Sequence, residues 1–292
     1  MPSVLLADRG VVRVSGEDAK TFLDGLVTCD LDRISPAEAR FGALLTPQGK
    51  ILFDFIVFQA PSEIGGGYYL DALKVHAPDL AKRLGFYKLR AKVAIEDLSD
   101  TLAVAAGWDA PRPTEEAGLV AGDPRLADLG WRAIVAAADA AEFAADPAEA
   151  YHARRIALGV PEGGRDFLFG DAFPHEALMD QLRGVDFDKG CYVGQEVVSR
   201  MQHRGTARTR IVPALYEGGF AAEVGVEVMA GDKMLGKTGT GAGGRGLLMI
   251  RLNRAADALS AGETIRAGGI PVRLEKASWT NFPFPGDAGA GA

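Results

Sequence analysis

Lys189-Gly190-Cys191-Tyr192-Val193-Gly194-Gln195-Glu196, with Arg200 four residues further on, is the stretch on which the reading of this chain turns. It sets a lone thiol between two glycines and close to a lysine. Val197, Val198 and Met201 then recur at helical spacing, so a helix is predicted to begin near Gly194. A cysteine just ahead of a helix start and beside a cation has its thiolate favoured by free N–H groups and local positive potential. Such a sulfur can act as a nucleophile, a redox centre or a soft metal ligand. The plain alternative is a small buried hydrophobe. The residues alone leave both open.

Composition narrows the surroundings. The chain has 292 residues, 48% hydrophobic and 24% charged, enough for about two domains with cores of their own. No apolar run approaches the ~20 residues of a membrane span, and Met1 to Gly10 lacks the pattern of a secretory signal. A cytoplasmic protein is expected, with no membrane partner. Two cysteines, Cys29 and Cys191, make no disulfide framework, and Cys29, next to Asp30, is expected to be structural. Four scattered histidines leave no zinc-type constellation. One thiol cannot hold an iron–sulfur cluster alone, since such clusters take about four ligands, so any cluster here is transient or shared. A net charge of −7 argues against direct nucleic-acid binding. Lys189, Arg200, His203, Arg204, Arg208 and Arg210 nevertheless crowd together, either as a solvated face or as an anion site.

Along the chain, Val11–Val14 reads as a strand, and Ser15 as the cap of an amphipathic helix through Ala19, Phe22, Leu23 and Leu26 to about Val27. Two apolar runs, Phe41–Leu45 and Ile51–Phe58, flank Thr46-Pro47-Gln48-Gly49, a type I turn signature, and predict a β-hairpin. Asp54 interrupts the second run; a carboxylate there is either paired in a salt bridge or turned to a ligand. Tyr68–Asp71, Ala91–Glu96 and Leu129–Ala136 are expected strands, with a helix from about Pro78. Trp108–Pro124 reads as a loop, Ala138–Ala145 and the stretch after Pro147 as helical, and Gly159–Phe173 as a long loop. From about Thr206, short β-rich runs between glycines suggest a small antiparallel barrel. Within it Gly239-Thr240-Gly241-Ala242-Gly243-Gly244 imitates a dinucleotide fingerprint, but a strand-like run follows instead of a helix, so that reading is rejected.

The cysteine motif, with Arg200, resembles the signature of the YgfZ-type folate-binding proteins, relatives of the glycine-cleavage T-protein (aminomethyltransferase). Val14-Ser15-Gly16-Glu17-Asp18-Ala19 with Phe22-Leu23, the Thr46-Pro47-Gln48-Gly49-Lys50 hairpin with Asp54, and Gly159-Val160-Pro161 extend the likeness over roughly residues 1–280. The resemblance implies an α+β, three-lobed, aminomethyltransferase-like folate-binding fold with a C-terminal antiparallel β-barrel. The implied divisions are 1–45 with 147–205 as a discontinuous first lobe, 46–146 as an inserted lobe, 206–280 as the barrel and 281–292 as a flexible tail.

The implied role is a tetrahydrofolate-binding accessory protein that assembles or repairs iron–sulfur clusters in client enzymes, such as the tRNA methylthiolating and lipoate-forming radical enzymes. Cys191 would be the working thiol or a shared cluster ligand, its pKa lowered by Lys189. Gly190, Tyr192, Gly194, Gln195, Glu196 and Arg200 would shape the loop or meet a partner. Tetrahydrofolate would meet Asp54, Asp71, Arg155 and Arg200, and iron–sulfur assembly proteins would be the partners. The alternative is a folate-dependent aminomethyl or one-carbon transferase working through Asp54. Phe41 and Asp71 depart from the tyrosine and asparagine of the T-protein, which weakens that alternative.

Overall fold

A computed structural model describes residues 2–205 and 207–285. The chain divides into two compact units, Met1–Tyr151 with Leu182–Val197, and His152–Gln181 with Val198–Ala292.

The first unit holds strands β1 (Ser3–Leu5), β2 (Arg9–Ser15), β3 (Arg40–Leu45), β4 (Ile51–Gln59), β5 (Tyr68–Leu73), β6 (Ala94–Asp97), β7 (Leu102–Gly107), β8 (Leu119–Gly122) and β9 (Trp131–Ala136). Its helices are α1 (Ala19–Asp24) and α2 (Ala77–Tyr87), and α3 (Ala148–Ala157) begins in it. One antiparallel sheet runs β3-β4-β5-β2-β6, the other β1-β7-β9-β8. Along β4, Phe55 and Val57 enter a core shared with Leu23 of α1 and Leu80 and Leu84 of α2. Strand alternation therefore turns Asp54 and Ile56 to the opposite face. Asp71 stands directly across from Ile56, so both aspartates share that face.

That face carries a buried ionic network beside buried apolar residues such as Ile56 and Phe58. The Asp71 carboxylate accepts from Arg9 Nε at 2.6 Å and from Arg132 Nη1 at 3.1 Å. Arg132 of β9 and Arg125 each donate to the Tyr151 hydroxyl at 2.6 Å, and Arg125 also grips Asp123 at 2.7 Å. Burial pushes the Asp123 carboxyl up, but Arg125 and Arg132 outweigh it, leaving its pKa below the usual carboxylate value. The network joins the two sheets, because Asp71 and Arg132 lie on different ones.

The second unit is built on a closed barrel in the order β10-β13-β12-β11-β14-β15. Its strands are β10 (Thr209–Tyr216), β11 (Glu227–Ala230), β12 (Lys233–Ala242), β13 (Arg245–Arg251), β14 (Ile265–Ala267) and β15 (Ile270–Leu274). The helix α4 (Gln195–Arg204) runs into this unit, and α5 (Leu252–Ser260) follows β13. Gly239–Ala242 completes β12, and Gly243 and Gly244, both at positive φ, turn the chain straight into β13. A hairpin thus occupies the apparent fingerprint. Gly239 has its own reason: a Cβ there would lie 2.6 Å from Asp166 Oδ1, in space a carboxylate already fills.

Several expectations are corrected. The first helix stops at Asp24, since Gly25 follows and the Asp24 and Val27 carbonyls turn to Lys189. The loop over 108–124 contains β8, and 138–145 forms only a 3-10 turn at Ala140–Phe143, its apolar positions being mainly alanines with little surface to bury. The tail expected at 281–292 lies outside the described residues from 286 onward; ahead of that point Phe282 and Phe284 are buried. Among the described residues, no helix is long and apolar enough to cross a membrane.

Candidate functional site

The cysteine motif lies on a loop of the first unit that is tied down at successive points. Asp186 donates its N–H to the Thr28 carbonyl at 2.9 Å, and its carboxylate accepts from the Asp30 N–H at 2.7 Å and from Arg33 at 3.1 Å. The Thr28 hydroxyl donates to the Gly184 carbonyl at 2.5 Å and accepts from the Ala43 N–H at 2.9 Å, linking loop to β3. Lys189 comes next. Its side chain is 1% exposed, and its ammonium donates to the carbonyls of Asp24, Val27 and Cys29 at 2.8–2.9 Å, beside the Asp24 carboxylate at 3.1 Å. An ammonium has three protons. All three are engaged, so Lys189 anchors the loop and does not donate to the thiol, contrary to the activating role expected from its position in the sequence.

Beyond Cys191 the loop is held again. Tyr192 is buried, its ring 5.4 Å from the Lys189 ammonium, and burial, with Asp186 adding, pushes its phenol pKa well up. Val193 packs on the α1–α2 core. Gly194 takes φ +84°, and a Cβ there would lie 2.5 Å from the Thr46 carbonyl. The hairpin turn between β3 and β4 thus sits directly against the start of α4. Gly49 in that turn answers in kind: its Cβ would meet Val197 at 3.0 Å. Between these anchors Gly190 and Cys191 form an exposed crest. Gln195 begins α4, so Cys191 stands four residues ahead of the helix rather than within its first turn. Glu196 is exposed.

Cys29 behaves oppositely. It is fully buried, and desolvation pushes its thiol up to about 12, with Lys189 opposing and Asp186 adding. Its structural assignment stands, but the cause is burial, not the neighbouring Asp30. Its sulfur fills the space beside Gly42, where a Cβ would lie 2.7 Å away.

The other expected site residues have separate surroundings. Asp54 is buried on β4, opposite Ala43. Asp71 is fully buried with both carboxylate oxygens held by guanidinium groups. In the second unit, Arg155 is fully buried: it donates to Asp166 at 2.7 Å, to Thr240 Oγ1 at 3.0 Å and to the Val160 carbonyl at 3.3 Å. It fastens the 159–166 loop to β12. Two of the four residues expected to hold tetrahydrofolate, Asp71 and Arg155, therefore do not fit that group, because their polar atoms already satisfy internal partners. Arg200 is exposed on α4, and of the cationic cluster Arg210 and the Lys189 side chain are buried while His203, Arg204 and Arg208 are exposed. Sequence reasoning missed Asp24, Thr28 and Asp186. Asp24 and Thr28 lie 165 and 156 residues from Lys189 and Gly184, the loop residues they bind, and Asp186 lies 156 residues from its partner Asp30, so nothing local in the sequence marks them.

This arrangement has the fold of the glycine-cleavage aminomethyltransferase class. The structure superposes on aminomethyltransferase T of the glycine cleavage system from Bartonella henselae with a TM-score of 0.72, at 14% identity, over 96% of this chain and 86% of the other. Residues 208–282 match the CAF17 C-terminal beta-barrel domain family. The chain is 33% identical to the mouse mitochondrial iron–sulfur cluster assembly factor IBA57, over 84% of this chain and 76% of the mouse protein; the human protein matches equally. The homologue from Mycosarcoma maydis is 36% identical over 70% of this chain. The chain belongs to the IBA57 family of iron–sulfur cluster assembly factors. It spans just over half the length of some fungal relatives, 55% of the M. maydis protein and 58% of the one from Pyricularia oryzae. These relatives are mitochondrial proteins by name, which overturns the cytoplasmic expectation; bulk composition carries no address of that kind.

Proposed function

We propose that this protein is a YgfZ-like accessory factor for building or repairing iron–sulfur clusters in client enzymes, with Cys191 as its working group. One observation carries the reading: the thiol is exposed at the crest of a loop whose flanks are fixed by Lys189, Asp186, Tyr192 and Gly194. A cluster, as cargo, takes about four ligands. Cys191 lends one thiolate, its proton leaving to solvent, and a partner chain supplies the rest. A fixed crest lowers the entropy cost of presenting that sulfur to a partner. Family membership supports the same reading, since relatives such as the mouse protein are cluster assembly factors by name.

Tetrahydrofolate enters this proposal as a bound ligand only. The fold likeness supports it, whereas the engagement of Asp71 and Arg155 limits which residues can hold it. One-carbon transfer is the second reading, favoured by the aminomethyltransferase fold together with an acid, Asp54, inside β4. The two separate in cells lacking the protein. Cys191→Ser is expected to abolish rescue of cluster-dependent enzymes while Asp54→Asn retains it. Loss of rescue with Asp54→Asn alone, accompanied by turnover of an aminomethyl or methyl donor by the wild type, would establish the transferase instead.

A further inference from the structure

A cavity of about 270 Å³ opens in the second unit where the end of α4, the start of α5 and the Phe282–Pro285 segment meet. Arg208, Arg210, Phe282 and Phe284 line it, and among the described residues no aspartate or glutamate does. Arg210 is 6% exposed. Its Nη1 donates to the Asp180 carboxylate at 2.5 Å and to the His175 carbonyl at 2.7 Å, and its guanidinium lies 4.9 Å from the Phe282 ring centroid. Its other edge is different. Nε is buried with no hydrogen-bond partner, and Nη2 makes no hydrogen bond to any described residue. A buried donor left unmet is destabilising, and native structures rarely keep one without a reason. Nε and Nη2 together form the two-pronged edge of the guanidinium that matches the two oxygens of a carboxylate. Arg208 adds an exposed cation to the cavity lining. Burial lowers the His175 pKa below its usual value, so that ring stays neutral at pH 7 and adds no charge to the wall.

We infer that this cavity binds the carboxylate of a small acid with a flat apolar body. The Nε/Nη2 edge of Arg210 would take both oxygens, Arg208 would complement the charge, and the Phe282 and Phe284 rings would cover the apolar part. The site is separate in its residues from the cysteine motif and needs no cluster.

Benzoate titrated into the full chain by calorimetry is the test, with benzamide as the uncharged isostere and inorganic phosphate as the compact anion. Benzoate is expected to bind one to one and benzamide at least tenfold more weakly. Two variants are expected to weaken benzoate at least tenfold. Arg210→Lys keeps the charge beside Asp180 but removes the fork; Ala256→Trp fills the cavity from α5 without touching the Arg210–Asp180 pair. Thermal melts without ligand confirm that each variant is folded, and Ala256→Trp decides the matter should Arg210→Lys not fold. The inference is overturned if benzoate does not bind, if Ala256→Trp binds it as tightly as wild type, or if phosphate displaces it at equal concentration.

Discussion

Asp71→Asn is expected to destabilise the first unit by about 3–5 kcal/mol, the range for removing one member of a buried ion pair. The variant keeps the volume of the side chain but removes the charge that Arg9 and Arg132 share. Two guanidinium groups would then face a neutral amide in a buried site. Asp123 cannot take over, because it is already engaged by Arg125 at 2.7 Å and lies 3.6 Å from Arg132. For a unit of this size the loss corresponds to a fall in Tm of roughly 6–20 °C. Circular dichroism melts of the variant beside Glu17→Gln provide the comparison. Glu17 pairs with Lys92 on an open surface, and such exposed pairs are worth about 0–1 kcal/mol. Equal melting temperatures for the two variants would show that the network does not hold the sheets together.

Gly194→Ala comes second in expected effect and tests how the cysteine loop is seated. A left-handed backbone costs a residue with a Cβ about 1–2 kcal/mol. Here the added carbon would also lie 2.5 Å from the Thr46 carbonyl and 3.1 Å from the Gly49 Cα. Forcing atoms into packed space adds about 1–3 kcal/mol, so a total of roughly 2–5 kcal/mol is expected from these two terms. The contact is backbone on backbone, and no side-chain rotation can relieve it. The hairpin turn or the start of α4 must move, and Cys191 moves with the loop. Urea unfolding followed by tryptophan fluorescence measures the loss. Gly190→Ala is the matched control, since nothing lies within 4 Å of a Cβ there. If Gly194→Ala proved no worse than Gly190→Ala, the seating described for the loop would be wrong.

The parts of this fold legible in the sequence were those written in local pattern. The hairpin around Thr46–Gly49 combined two apolar runs with turn residues of fixed conformational need, and it formed where expected. The helix after Gly194 and most of the barrel strands followed their periodicity in the same way. Where the pattern was weak, tertiary context decided: β8 and β14 are short, and β12 carries three glycines, of which Gly236 and Gly241 pair with residues of β13. The candidate site divided along the same line. The exposed Cys191 stood in a motif visible as eight consecutive residues. What Lys189 does could not be read there, because its three carbonyl acceptors lie near residues 24–29 and only folding brings them within reach. Asp71 and Arg155 were misleading for a related reason. A charged residue in an apolar run signals that it has a partner, but not whether that partner is a ligand or another side chain.

Anaerobic reconstitution with iron and sulfide, in the presence of an assembly scaffold protein and followed by visible absorption, tests the account most directly. Wild type should acquire or pass on cluster absorption that Cys191→Ser lacks, while Cys29→Ser, altered only at the buried thiol, matches wild type after its folding is confirmed. Equal absorption and equal transfer by wild type and Cys191→Ser would contradict the assignment of that sulfur as the working group.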